Sequence, residues 1–366
     1  MPERAERFEV GIIGAGAVGC AVAYSLAKRR VPVLVLDRGG AGGGASAATS
    51  ARVWAHTEDP PDVARMIARA AQRFPGLQEE IGPVEFLRTG GLAPVLTADE
   101  ERRAQDLVAR QAAAGLSARW LSREETLRLE PALTPLVRGA TYSPDDGSVN
   151  PFLLVRRLVG AARRLGAAFS FHCGYVAVRS QPGGVALLTG RGEFWVRRLI
   201  IAAGVGVSDL LAQVGVSLPL RPVFTHFAVT EKVPPLLRHT LSTMRQQLSG
   251  EVVVEHPREG PPVQCEAAPG VLLDLAREAT RLVPSLGPVP MLRAFTGVRA
   301  VPVDGLPVLG AVEERIFVVL ALRGIALCPL LGEAVADLVL RGRAGAAFER
   351  WSPARFREVE TNSPSR

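Results

Sequence analysis

Lysine is nearly absent from this chain. Of the 43 Lys and Arg residues in 366, only Lys28 and Lys232 are lysines. Aromatics are also scarce, at 5%, with three tyrosines, Tyr24, Tyr142 and Tyr175. The net charge of +7 invites a polyanionic partner. Its arginines, however, are scattered singly or in pairs among acids, as at Arg102-Arg103 and Arg156-Arg157, with few aromatics between them. That is a compositional bias toward arginine and not a nucleic-acid surface. Cysteine is sparse and dispersed. Cys20, Cys173, Cys265 and Cys328 form no C-x-x-C and no Cys/His pair at metal spacing, so no zinc or iron–sulfur centre is expected. The same pattern lacks a disulfide framework and fits a reducing, cytoplasmic compartment. No apolar run approaches the roughly 18 residues a membrane span needs, so no transmembrane segment is expected. Met1 to Phe8 is polar and charged, which is not the pattern of a signal peptide. No internal repeat is present. At 48% hydrophobic and 22% charged, the chain is globular and long enough for one large or two intimate domains.

The most informative stretch is Val10 to Arg38. An apolar run over 9–13 leads into Gly14, Gly16 and Gly19 at the spacing G-x-G-x-x-G. Residues 17–28 have helical composition and end in Lys28-Arg29-Arg30. A second apolar run over 31–36 closes on Asp37, with Pro32 near its start, where a missing ladder donor is tolerated. Strand, glycine turn, helix, strand and acid within one βαβ length predict a dinucleotide site. Gly14 permits the tight turn, Gly16 the approach of a pyrophosphate, and Gly19 close packing of the helix on the sheet. The helix N-terminus then faces the phosphates, and Asp37 can accept hydrogen bonds from a ribose.

The glycine-rich run 38–46 follows directly. Its position predicts a loop that wraps a long cofactor, with Ala45 and Ser46 offering donors to phosphate. Beyond it, small residues surround Arg52, Trp54 and His56. The pattern predicts a helix over 59–80 after Pro60-Pro61, a hairpin over 84–96 about Gly90-Gly91, and helices announced by Thr97 and by the S-x-x-E box at Ser122. Asn150 and Pro151 read as cap and first residue of a helix over 152–165. Strand runs are expected over 167–178, 185–189, 194–201, 218–229, 252–254 and 316–321, and the stretch 295–310 carries Arg299, Asp304 and Pro307. Helices are expected over 270–283 and, beyond Pro329, over 331–340. Residues 352–366 read as a polar tail.

Taken together, these stretches resemble the FAD-dependent D-amino-acid oxidase family, in the branch holding glycine oxidase, sarcosine oxidase and amino-acid dehydrogenases. The resemblance is carried by Gly14 to Gly19 with Asp37-Arg38, Gly44-Ala-Ser46, Asp146-Gly-Ser-Val-Asn-Pro151, Ile201-Ala-Ala-Gly204, Leu218-Pro-Leu-Arg-Pro222, the run Gly297 to Gly310 and Gly324-Ile-Ala-Leu-Cys-Pro329. The first is common to many nucleotide enzymes. The run 297–310 together with 324–329 is far more specific.

The resemblance implies an α/β fold. A glutathione-reductase-type, Rossmann-like FAD domain (1–82, 147–215, 297–350) is interleaved with a substrate domain on a mixed, mostly antiparallel sheet (83–146, 216–296), followed by a tail (351–366). It implies that FAD contacts Gly14, Gly16, Ala17, Val18, Gly19, Asp37, Arg38, Ala45, Ser46, the backbone at Tyr175 or Val176, Ala203, Gly204, Arg299 and Gly324, Ile325, Ala326 and Leu327. It places Arg299 on the substrate carboxylate, a role suited to a guanidinium fork. Thr243, Arg52 and Arg323 are the other reaction-site candidates.

The chain departs from the family in three places. The family's tyrosine register holds Thr243 or Met244, Ala321-Leu-Arg-Gly324 is poor in glycine, and Arg52 stands where an uncharged residue is more usual. The implied chemistry is oxidation of the C–N bond of a small amino or imino acid by hydride transfer to flavin N5, with hydrolysis of the imine. The reduced flavin passes its electrons to oxygen or another acceptor. The assembly is either a homo-oligomer or a heteromeric dehydrogenase complex, which the run from Met244 to Val254 resembles. Two alternatives stand beside this reading. One is a nicotinamide dehydrogenase, supported by the glycine fingerprint alone. The other is an FAD-holding subunit with an altered or inactive pocket.

Overall fold

In a computed structural model, the structure describes residues 6–258 and 269–356. Residues 1–5, Cys265 and the part of the expected tail beyond residue 356 lie outside them. Two compact units are present: Met1–Ala47, Phe152–Pro222 and Arg299–Arg366 form the first, and Ala48–Pro151 with Val223–Val298 the second. Residues 48–82 and 147–151, expected in the nucleotide domain, fall in the second unit. Their β-pairing is the reason: Arg52–Val53 pairs with Gly147–Ser148, and Ser148 in turn bridges Leu87 of the second unit.

Among the described residues the first unit holds an eight-stranded sheet. Its centre is parallel: Glu6–Ile13 lies between Val33–Leu36 and Gly192–Ile201. Val33 to Leu36 are all buried, as a strand covered on both faces requires. Ile316–Leu320 extends the parallel set beside Gly192–Ile201, and Ala168–Ser170 extends it beside Val33–Leu36. Pro32 lies outside its strand, and its carbonyl accepts the Glu9 and Val10 N–H groups at 3.2 and 3.1 Å.

The helix Ala17–Lys28 packs against the last long helix, Gly324–Arg341. A Cβ on Gly332 would stand 2.7 Å from the Ala21 carbonyl oxygen, so only glycine lets the two backbones approach this closely. The last helix begins seven residues earlier than its sequence pattern predicts and carries Pro329 inside it. Proline costs one helical hydrogen bond. Burial of Ile325, Ala326, Leu327, Leu330 and Leu331 around it outweighs that loss.

The expected tail is packed at its start. Trp351, Pro353 and Phe356 are buried, and Arg355 pairs with Asp304 at 2.7 Å. Apolar burial overrides a polar composition there.

Among the described residues the second unit carries two four-stranded sheets. In one, Met244–Gln246, Glu251–Arg258, Leu220–Lys232 and Met291–Pro302 lie in that order. In the other, Gly91–Val95 pairs antiparallel with Gly139–Ser143 and parallel with Thr240–Leu241. The hairpin expected over 84–96 is therefore a single strand. Its partners come from distant sequence, and Leu87 bridges Ser148. The helix expected over 59–80 is two helices, Pro61–Ala71 and Phe74–Ile81, because Pro75 cannot donate within a continuous helix. Both capping boxes form: Thr97 with Glu100, and Ser122 with Glu125. Among the described residues, no helix is long and apolar enough to cross a membrane.

Candidate functional site

The glycine turn of the first unit is built as its residue types demand. Gly14 has φ +111°, and a Cβ there would lie 2.4 Å from the Ala202 carbonyl oxygen. A Cβ on Gly19 would lie 2.0 Å from the Gly14 carbonyl oxygen. The Ala15 peptide between them is held from both ends. Its N–H donates to Asp37 Oδ2 at 2.7 Å. Its carbonyl accepts from Gly42 N at 2.8 Å and from Cys20 Sγ at 3.3 Å. The glycine-rich run after Asp37 is thus folded back onto the turn.

Asp37 Oδ1 accepts the Gly39 N–H at 2.8 Å. Each carboxylate oxygen keeps lone-pair capacity beyond these bonds. Ser46 reaches across 29 residues, and its Oγ accepts the Ala17 N–H at 3.0 Å, capping the first helix from outside it. That leaves its hydroxyl hydrogen available as a donor.

The two helix starts meet in this unit. A Cβ on Gly324 would stand 3.2 Å from Val18 Cγ2, and Gly332 lies against Ala21 and Ser25. The helices therefore begin side by side and run in the same sense. Gly14, Gly16, Ala17, Val18 and Gly19 thereby come together with Gly324, Ile325, Ala326 and Leu327. Two positive dipole ends at one corner suit an anionic cofactor.

The other expected cofactor residues are more dispersed. Ala203 and Gly204 open the short turn Gly204–Gly206, anchored where Ala202 N donates to Ile13 O at 2.8 Å. Tyr175 is 70% exposed, and Val176 is buried with its carbonyl bound by Gln213 Nε2 at 3.3 Å. Arg38 and Ala45 are exposed. Arg299 and Arg323 are half-buried in the first unit.

The second unit brings Arg52 and Thr243 into one network. Arg52 donates through Nη2 to Glu255 Oε2 at 2.9 Å, through Nε to Ser50 Oγ at 3.2 Å, and through Nη1 to the Ser242 carbonyl. The Ser50 hydroxyl also donates to Glu255. The Glu255 N–H donates to the Thr243 carbonyl at 2.7 Å. Arg245 Nε donates to the Ser50 carbonyl. Burial lowers the Arg245 pKa to about 10; the Glu85 carboxylate opposes this and Arg52 adds to it. Ser50, Arg245 and Glu255 carry no motif. The one sequence signal was a glutamate amid the valines of a buried strand.

A second buried network lies nearby in the same unit. His56 Nδ1 is 2.6 Å from Asp146 Oδ2, and His56 Nε2 is 2.9 Å from Thr141 Oγ1. Asp146 also accepts from the Ala55 and His56 N–H groups. All three side chains are sealed from solvent, so this network is a structural brace for the segment after Arg52.

A strand–turn–helix with a terminal acid and two converging helix starts defines a dinucleotide-binding α/β protein. The chain belongs to the FAD dependent oxidoreductase family, which it matches over residues 9–338. It is similar to glycine oxidase of Geobacillus kaustophilus, 30% identical over 358 residues covering 92% of this chain and 93% of that protein. It is also similar to an opine oxidase subunit of Agrobacterium tumefaciens, 28% identical over 361 residues covering 95% and 97%. The crystal structure of glycine oxidase from Geobacillus kaustophilus matches with a TM-score of 0.87 at 29% identity, covering 96% of this chain and 99% of that one. Membership of this family decides for FAD over a nicotinamide cofactor.

Proposed function

We propose that this protein oxidises the C–N bond of a small amino or imino acid of the glycine, sarcosine, D-amino-acid or proline type, and that water hydrolyses the imine product. The observation that carries the reading is the meeting of the two helix starts at Val18 and Gly324 within a chain similar to glycine oxidase over nearly its whole length. Bound FAD supplies a two-electron acceptor. Gly14, Gly16 and Gly19 would leave room for its pyrophosphate, Asp37 would take a ribose hydroxyl, and Gly324 to Leu327, the start of the last helix, would hold its ring. Arg299 pairs with the substrate carboxylate and fixes its orientation. Arg52 and Thr243 are the reaction-site candidates of the second unit, and Arg323 stands just before the last helix in the first.

A catalytic base is not required of the chain. Such an amine reacts as the neutral form, and the protein supplies orientation and charge complementarity. The electron acceptor is oxygen or another acceptor. The three described cysteines are free thiols, which supports a cytoplasmic setting.

A second reading rests on the likeness to a protein named as one component of an opine oxidase. In it, the chain holds FAD within a heteromeric complex and its own pocket is altered, Thr243 or Met244 standing in the family's tyrosine register. One experiment separates the two. The yellow holoprotein is mixed anaerobically with glycine, sarcosine, D-amino acids and prolines. Bleaching by at least one of them is expected. Failure of the whole panel to bleach the flavin rules against the first reading and favours the second.

A further inference from the structure

The helix Pro151–Arg164 buries an apolar face and turns a basic one to solvent. Leu154, Val155, Leu158, Val159, Ala161 and Ala162 are buried. Phe152, Arg156 and Arg163 are exposed along one edge of the opposite face, and Arg157 and Arg164 along the other. Residues four and seven apart return to the same side of a helix, so these form one surface.

Other exposed arginines are laced with acids. Arg102 pairs with Asp99, Arg110 with Asp59 at 3.2 Å and Arg341 with Asp337 at 3.2 Å. Among the described residues, Arg156, Arg157, Arg163 and Arg164 form no ion pair. The sequence supplies the reason. The chain has 36 acids in 366 residues, but none lies between residues 151 and 192. The structure thus separates Arg156-Arg157 from Arg102-Arg103, which look alike as sequence.

The basic surface continues beyond the helix. The Arg163 guanidinium lies 5.3 Å from the ring centroids of both Phe169 and Phe171. Exposed Arg191 donates through Nε to the His172 carbonyl at 3.4 Å. Large apolar side chains stand at the two ends: Phe152 is 55% exposed and Leu165, just past the helix, is 47% exposed. At the helical rise they are about 20 Å apart. Cations spread over that length, with no acid among them, complement an extended anionic plane better than a single bound anion. Exposed apolar residues beside them suit the boundary between headgroups and acyl chains.

We propose that this face docks the protein peripherally on a bilayer of anionic phospholipid, with the arginines on the headgroups and Phe152 and Leu165 entering the interface. Such docking needs no membrane-crossing helix.

The test is sedimentation of the FAD-loaded protein with vesicles at about 0.1 M salt, where surface charges still act over about 10 Å. One set of vesicles contains phosphatidylglycerol and the other only phosphatidylcholine. Retention on the first and not on the second is expected. Arg156→Gln/Arg157→Gln should weaken it by about thirtyfold, at about fivefold for each basic side chain near an anionic surface. Arg102→Gln/Arg110→Gln removes the same net charge from a surface laced with acids and should change retention little. Flavin content and circular dichroism establish that both variants are folded. No retention on phosphatidylglycerol overturns the proposal, as does equal retention on the two lipids. Equal losses in the two double variants also overturn it, since bulk net charge would then suffice. Finally, soluble poly-glutamate competes with the vesicles at equal charge concentration. Weak displacement supports the bilayer, and full displacement refutes it in favour of an acidic protein. If Arg156→Gln/Arg157→Gln does not fold, the lipid contrast and this competition on the unmodified protein still decide.

Discussion

Asp37 Oδ2 accepts the Ala15 N–H at 2.7 Å, so the acid that ends the second strand also holds the glycine turn that follows the first. The carboxylate serves the turn and, through its remaining lone pairs, a ribose hydroxyl. Asp37→Ala removes both functions. FAD affinity should fall by about ten- to a hundredfold, from the roughly 1.5–3 kcal/mol of a hydrogen bond to a charged group. The chain should stay folded, because Asp37 is only half-buried. Flavin-to-protein absorbance after dialysis and a circular-dichroism melt check this. Unchanged FAD affinity would remove the assignment.

Arg299→Lys tests the substrate carboxylate. A point charge replaces a planar fork. kcat/KM for an active amino acid should drop by about tenfold or more, while FAD content stays the same. The decarboxylated amine should be far less sensitive. Equal losses for the two substrates mean that Arg299 supports the site without recognising a carboxylate.

Glu255 compensates Arg52 in a buried setting. Glu255→Ala strands that charge and should cost about 3–5 kcal/mol. The double variant Arg52→Met/Glu255→Leu should recover most of the loss, since well-packed apolar replacements of a buried pair are often neutral. Urea titrations of the three proteins measure this. A double variant no more stable than Glu255→Ala contradicts the argument.

Cys328 is fully buried within the last helix, and burial pushes its thiol far above the usual cysteine pKa. The thiolate is the reactive form, so no covalent bond to FAD is expected there. Acid precipitation should leave the flavin in the supernatant. A yellow pellet would show the reverse.

Asp304 and Arg355 tie the C-terminal segment to the first unit. Burial works to raise the Asp304 carboxyl, but hydrogen bonds from Arg355 and the Leu306 N–H, with the Arg355 charge, outweigh it and hold its pKa below the usual value. A carboxylate depressed on folding stabilises above its unfolded pKa of about 3.9, and that contribution fades as pH falls through the lower folded value. Protease cleavage near Trp351 should therefore be insensitive to pH between neutrality and about pH 5 and increase below about pH 4. Asp304→Asn should be cleaved faster at neutral pH. A variant as resistant as the unmodified protein would separate Asp304 from the anchoring of this segment.

The dinucleotide corner was legible because its constraints are local. Gly14 is set by its φ of +111°, Gly19 by its approach to the Gly14 carbonyl and Asp37 by the Ala15 N–H, all within one βαβ length. The capping boxes at Thr97 and Ser122 were legible for the same reason, each closing within a single helical turn. The strand Gly91–Val95 was not, because its partners are contributed by residues 139–143 and 240–241. Nor was the early start of the last helix. Pro329 reads as a boundary until the burial around it is known.

What the sequence determined by itself, then, is the glycine turn, the acid after it, the order of strands and helices around them, and through these the family. Tertiary structure alone decided the network in the second unit. Ser50, Arg52, Arg245 and Glu255 come from segments about 200 residues apart. Whether each is an ordinary surface polar residue or a desolvated charge depends on which face of a sheet it occupies and on what covers that face. Burial and pairing of this kind are properties of the folded chain, and no local spacing encodes them.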